Sequence, residues 1–170
     1  AGGDLDKAVT ILREKGVAAA SKKSSRDAKE GVVHTYIHPG SRIATMVELN
    51  CETDFVARND MFQSLARDIA MQVAATKPQA VGREQMPQGL LDEESEIYRN
   101  QAKNEGKPEH IIDRIVQGRI EKFYQENCLL EQPFIRDTDK TVKDLITDAV
   151  GTLGENIQIR RFIRYELGGE

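Results

Sequence analysis

Glu48-Leu49-Asn50-Cys51-Glu52-Thr53-Asp54-Phe55-Val56-Ala57-Arg58-Asn59 is the stretch where this 170-residue chain passes from strand to helix. Upstream of it Ile43, Thr45, Val47 and Leu49 alternate with Arg42, Ala44, Met46 and Glu48, the period of two of a half-buried strand. That run ends at Asn50, a polar turn follows, and the Thr-Asp-Phe-Val step at 53–56 reads as a loop that starts a helix. A large apolar ring beside the Asp54 carboxylate on a short exposed element is poor core design and good design for a wedge that enters another molecule. The competing reading makes Phe55 a core anchor, because large aromatic side chains are usually buried. Phe62 already fits the inward stripe of the next helix, which leaves Phe55 on a separate turn and favours the outward ring.

Working outward, Val33, Thr35 and Ile37 alternate with Val32, His34 and Tyr36, and Pro39-Gly40 marks a turn. With the 42–49 run this gives an antiparallel hairpin with its odd-numbered face in the core. At the other end of the chain Ile157, Ile159, Ile163, Tyr165 and Leu167 share one face of a strand, and Gln158, Arg160, Phe162, Arg164 and Glu166 share the other. This strand joins the hairpin. The expectation is an α+β fold: a three-stranded antiparallel sheet with helices on one face, plus a helical hairpin.

The helices follow from caps and periodicity. Asp4 caps a helix carrying Leu5, Ala8, Val9 and Leu12, with Gly16 as its stop and nothing local to pack against. Residues 17–30 are a basic connector. Asn59 caps a helix whose stripe is Phe62, Leu65, Ala66, Ile69, Ala70 and Val73, ended by Pro78. Asp92 caps the next, to about Asn104, where Gly106 stops it, and Pro108 opens a helix with Ile111, Ile112, Ile115, Val116, Ile120 and Phe123 inward. These two form a helical hairpin at about 92–126. Gly118 lies inside the second, and close approach by a neighbouring helix would explain it. Residues 132–137 read as an extended connector. Thr141 with Asp144 resembles a capping box for a helix ended by Gly151 or Gly154. The organisation is 1–16, a connector at 17–30, and a core at 31–170.

Composition narrows the function. With 39% hydrophobic and 31% charged residues the chain supports a packed core and a soluble surface. A net charge of −4 argues against a dedicated nucleic-acid binder, despite Arg160, Arg161 and Arg164 on the last strand and Lys22, Lys23 and Arg26 in the connector. Solvated or interface-rim arginines are the preferred reading of that strand. No apolar run approaches the ~20 residues of a membrane span, and nothing at the start reads as a secretory signal. Cys51 and Cys128 have no metal-ligand spacing and point to a reducing compartment, with a Cys51–Cys128 disulfide as the alternative. An enzyme would need Cys51 paired with His34 or His38. Cys51 reads better as a small buried side chain ending a strand. No phosphate-binding glycine loop and no zinc motif is present, so no cofactor and no metal are expected.

Four blocks of this sequence closely resemble the elongation factor Ts family. They are residues 48–59, Gly106-Lys107-Pro108 leading to Gly118-Arg119, Leu130-Glu131-Gln132-Pro133-Phe134, and Gly154-Glu155-Asn156-Ile157 leading to Arg160-Arg161-Phe162. The resemblance implies a non-enzymatic guanine-nucleotide exchange factor for elongation factor Tu, acting in translation elongation. The single short core is similar to the compact form of the family, found in some bacteria and in organelles of bacterial descent. That places the chain in the bacterial cytoplasm or inside a plastid or mitochondrion. In the family the Thr-Asp-Phe-Val element is tied to displacing Mg²⁺ from the partner's nucleotide site, which carries over to Thr53, Asp54, Phe55 and Val56. A family histidine in a Tyr-x-His-Gly-x-Arg context resembles His38 in Tyr36-Ile37-His38-Pro39-Gly40-Ser41-Arg42. One compact core has to offer both elements, and a homodimer is a natural way to do so. The family also begins with a small three-helix domain, of the ubiquitin-associated type, and residues 1–16 are similar to a remnant of its last helix. The rival function is a ribosome- or RNA-associated adaptor using the basic strand.

Overall fold

The computed structural model describes residue 2 and residues 4–169. Along the chain the elements are α1 (Leu5–Lys23), β1 (Glu30–Ile37), β2 (Ile43–Cys51), α2 (Asp54–Ala57), α3 (Asp60–Thr76), α4 (Gln88–Asn104), α5 (Glu109–Asn127), β3 (Pro133–Phe134), β4 (Asp137–Thr141), α6 (Val142–Leu153) and β5 (Gln158–Glu166). They divide into two units, one made of the chain up to Lys77 together with Pro133 onward, the other of Pro78–Gln132.

In the first unit β1, β2 and β5 form the expected three-stranded antiparallel sheet, in that order. α3 packs across β1 and β2 on one face. Thr45, Val47 and Leu49 of β2 and Phe62, Ala66, Ile69, Ala70 and Val73 of α3 are all buried. The Thr45 hydroxyl donates to the Ala70 carbonyl at 2.9 Å, so the one polar group on this face of β2 is satisfied by α3. Asn59 caps α3 as expected, its side chain accepting from the Met61 amide at 2.9 Å.

Two facial assignments differ from the sequence expectation. In β1 it is the even-numbered residues that turn inward, while Val33, Thr35 and Ile37 are exposed. The cause is register. Val32 stands opposite Leu49, His34 opposite Val47 and Tyr36 opposite Thr45, so even positions on β1 share a face with odd positions on β2. In β5 the alternation breaks. Arg161 pairs with Glu48 but Ile159 pairs with Leu49, leaving Arg160 in a bulge. Ile159 therefore faces the core, and beyond the bulge Phe162 and Arg164 turn inward while Ile163 and Tyr165 turn out. Gly31 stands opposite Asn50 at φ 145°, where a Cβ would lie 2.1 Å from the Leu49 carbonyl oxygen, so only glycine fits.

α1 does not stop at Gly16; it runs on to Lys23. Its support is distant in sequence: it packs against α6, with the Gly16 Cβ position 3.8 Å from the Thr147 methyl. The segment 132–137, read as an extended connector, instead enters a two-stranded ribbon in which β3 pairs with β4. The ribbon is pinned to α3 by Gln72, a fully buried amide that donates to the Pro133 carbonyl at 3.1 Å and accepts from the Ile135 amide at 2.9 Å. The Thr141–Asp144 capping box forms at the head of α6, and Gly154 at φ 79° closes that helix.

In the second unit α4 and α5 make the expected antiparallel hairpin around Ala102, Ile112 and Val116. The turn uses Gly106 at φ 71° and a Lys107 amide bonded to the Ala102 carbonyl at 3.1 Å. α4 starts at Gln88, not at Asp92, because Leu90 and Leu91 pack against Ala80, Met86, Phe123 and Cys128 and draw the helix back toward Pro87. Gly118 is not a contact point within this unit: a Cβ there meets nothing within 4 Å. Gly118→Ala is expected to stabilise the hairpin by about 1 kcal/mol, read as a higher denaturant midpoint with an unchanged slope.

Candidate functional site

The site grows from the end of β2. Thr53 has extended backbone (φ −130°, ψ 149°) and its hydroxyl accepts from the Val56 amide at 3.3 Å, so the one-turn helix α2 is capped at its start. One turn cannot hold itself together, since nucleation costs more than one hydrogen bond returns. It is held from below by Val56 and Ala57, both buried. With those two facing inward, Phe55 is thrown outward. At 85% it is the most exposed large apolar side chain among the described residues. Asp54 lies on the same outer side, and Arg58 one turn on meets its carboxylate twice, at 2.7 and 3.2 Å. Such an exposed pair adds well under ~1 kcal/mol but fixes which way the carboxylate faces.

The loop into α2 is gripped from another part of the chain. Glu155, just past Gly154, accepts through one carboxylate oxygen from the Glu52 and Thr53 amides, both at 3.0 Å, and through the other from the Thr53 hydroxyl at 2.6 Å. The Glu52 carboxylate in turn accepts from the Asn156 amide at 2.6 Å. The Asn156 side chain donates to the Arg26 carbonyl at 2.7 Å, tying in the segment that follows α1. Two of the four sequence blocks, 48–59 and 154–157, thus meet at one place. Glu155, Asn156 and Glu52 were not singled out as site residues from the sequence. The αL glycine at the end of α6, which re-aims the chain straight into Glu155, was the available signal.

Cys51 closes the same loop from within. It is fully buried, and its thiol donates to the Thr53 carbonyl at 3.2 Å. Burial, with Glu155 nearby, pushes the thiol up to about 11. A nucleophile needs the opposite shift. No imidazole stands by: the residue across from Cys51 is Glu30, while His34 lies opposite Val47, where burial and Arg67 lower its basicity. Cys51 and Cys128 are both free and buried.

His38 is exposed at the far end of the hairpin. Its backbone amide bonds the Ile43 carbonyl, its ring faces the Tyr36 hydroxyl at 3.1 Å, and Gly40 and Ser41 turn the chain with positive φ. The ends of the nine-residue β2 lie roughly 26 Å apart at about 3.3 Å per step, with His38 beside one end and the Phe55 turn past the other. The structure does not bring these two candidates together within one chain. The arginines of β5 are already engaged. Arg160 and Arg161 share Glu48, at 3.3 and 2.7 Å. Arg164 is turned under and donates to the Ala74 carbonyl in the last turn of α3 at 3.2 Å. Among the described residues no cluster of His, Cys, Asp and Glu is placed to hold a metal ion, and no helix is long and apolar enough to cross a membrane.

A braced α+β frame that projects the Phe55 ring from a short capped turn has the form of a protein-docking module. Comparison with known sequences gives the family. A profile described as Elongation factor TS matches residues 4–170. The chain is 60% identical over 168 residues to Elongation factor Ts of Carboxydothermus hydrogenoformans, covering 99% of this chain and 77% of that protein. It is 59% identical over 168 residues to that of Thermoanaerobacter pseudethanolicus, covering 99% and 82%. It is 56% identical over 168 residues to that of Moorella thermoacetica, covering 99% and 83%. The chain belongs to the elongation factor Ts family.

Proposed function

We propose that this chain is a guanine-nucleotide exchange factor that docks on elongation factor Tu and releases its GDP during translation elongation. The observation that carries the reading is Phe55, outward on a turn braced on three sides, in a chain of this family. In a GTPase of this kind GDP is held by backbone amides, a lysine and Mg²⁺, and Mg²⁺ tolerates little distortion of its octahedral shell. Phe55 enters an apolar cleft of the GTPase beside that shell, and the cleft accepts the ring only when opened. Burial of the ring, about 1.5–3 kcal/mol, therefore favours the weak-binding shape. Thr53 and Asp54 flank the ring, and Val56 works from beneath by holding the turn. Linkage is reciprocal, so nucleotide also loosens the factor. No covalent bond is made or broken, and the chain works wherever translation runs, the cytoplasm in a bacterium. The test is release of labelled GDP from elongation factor Tu with and without this chain; an unchanged rate overturns the reading.

His38 serves as a second contact on the same GTPase. His38→Ala is expected to lower stimulated release less than Phe55→Ala does, and an equal or greater loss reverses that ranking. Since the two lie at opposite ends of the sheet, the pair acts from two copies of the chain. The sheet favours such a homodimer. Its helix-free face exposes Val33, Ile37, Met46, Ile163 and Tyr165, and apolar side chains gathered on one open face are a mark of an interaction surface. A second copy supplies the missing layer as an isologous sandwich. Ile163→Glu is expected to convert a dimer into a monomer by light scattering, with far-ultraviolet circular dichroism unchanged. The rival role, an RNA- or ribosome-bound adaptor, is disfavoured by the engagement of Arg160, Arg161 and Arg164. Strongly salt-dependent RNA binding with no effect on GDP release would favour it.

A further inference from the structure

Resting on that reading of Phe55, we infer that Glu155 is the positioning residue of the wedge: its carboxylate sets the direction in which the α2 turn presents the ring. Glu155 is separated from the turn by about a hundred residues of chain, and the hydrogen bonds it accepts there go to Glu52 and Thr53, not to Phe55. It takes all three donors of the Glu52–Thr53 step at 2.6–3.0 Å. Those are the groups that decide where the turn begins. The Thr53 hydroxyl is used twice, donating to Glu155 and accepting from the Val56 amide. Rotation of Thr53 away from Glu155 therefore costs the cap of α2 as well. The remaining braces act elsewhere. Val56 and Ala57 set the depth of the turn, and the Cys51 thiol fixes the Thr53 carbonyl. Without Glu155, the two amides at 52 and 53 have no acceptor and the turn pivots about Val56, so the ring samples a cone of directions. A wedge acts only in the direction of the cleft, and misplacement by an ångström is costly for an oriented contact. Gly154 is part of the device, because its αL backbone carries the chain from the end of α6 into Glu155.

The test is a double-mutant cycle on the maximal rate of fluorescent GDP release from elongation factor Tu at saturating factor. Glu155→Ala is expected to lower the maximal rate about tenfold, and Glu155→Gln, which keeps one acceptor oxygen, by less. Amide hydrogen exchange is expected to rise at residues 52–56 and to stay unchanged in β2 and α3. In the Phe55→Ala background, Glu155→Ala is expected to add nothing, because its effect passes through the ring. Additive losses overturn the inference, as does a full maximal rate for Glu155→Ala beside a defective Phe55→Ala. A full rate for Phe55→Ala itself overturns the wedge and this inference with it. Should Glu155→Ala fail to fold, Glu155→Gln carries the same cycle.

Discussion

Phe55→Ala is expected to slow stimulated GDP release by about ten- to a hundredfold while the chain unfolds at the same denaturant concentration as the parent. The size follows from transfer. A phenyl ring moved from water into an apolar cleft gains about 1.5–3 kcal/mol, and each ~1.4 kcal/mol taken from a barrier is a factor of ten in rate. The silence on stability follows from position. The ring contributes almost no buried surface of its own molecule, and α2 is anchored by Val56, Ala57 and the Thr53 cap. Alanine is also a slightly better helix former than phenylalanine. Stopped-flow release and a urea titration on the same preparation decide it. Loss of stability with exchange intact would mean the ring serves its own fold.

Phe62→Ala is the opposite experiment on a ring seven residues further along the chain, on the next helix. Phe62 is completely buried between α3 and the sheet. Its removal is expected to cost about 3–5 kcal/mol through lost transfer and the cavity left behind, seen as a large fall in the urea midpoint. Exchange is expected to follow the fraction folded, so activity per folded molecule stays near the parent's. A small stability change would show that the α3–sheet core closes over the gap.

The contrast between these two rings was legible in the sequence because it is local. Phe62 sits on an apolar stripe behind the Asn59 cap, while Phe55 falls outside that stripe on a turn of its own. The same holds for the Thr141–Asp144 box and the α4–α5 hairpin, where every signal lies within one or two turns of the residues it organises. What the sequence did not disclose is non-local. The inward face of β1 depends on its register with β2, fixed by the turn between Ile37 and Ile43 and not by β1's own pattern. The bulge in β5 left one trace, two neighbouring arginines in an alternating strand, both of which turn out to face solvent. Gln72 sits among the inward residues of α3 yet is fully buried, because the β3 ribbon supplies its partners. Glu155 lies in the block 154–157, but nothing in that block says which loop its carboxylate will meet.

The bulge at Arg160 also makes this family member unequally sensitive to different kinds of genetic change. A point substitution along β5 alters one side chain and leaves its neighbours facing as before. Loss of the codon for Arg160 would only straighten the strand: Ile159 would still stand opposite Leu49 and Phe162 opposite Val47, so Ile163 and Tyr165 would stay on the helix-free face and Arg164 would keep its hold on the helix end. A codon lost beyond the bulge has no such spare residue to draw on and turns over the side chains that follow it. The strand therefore forgives a gap at 160 and not one further along.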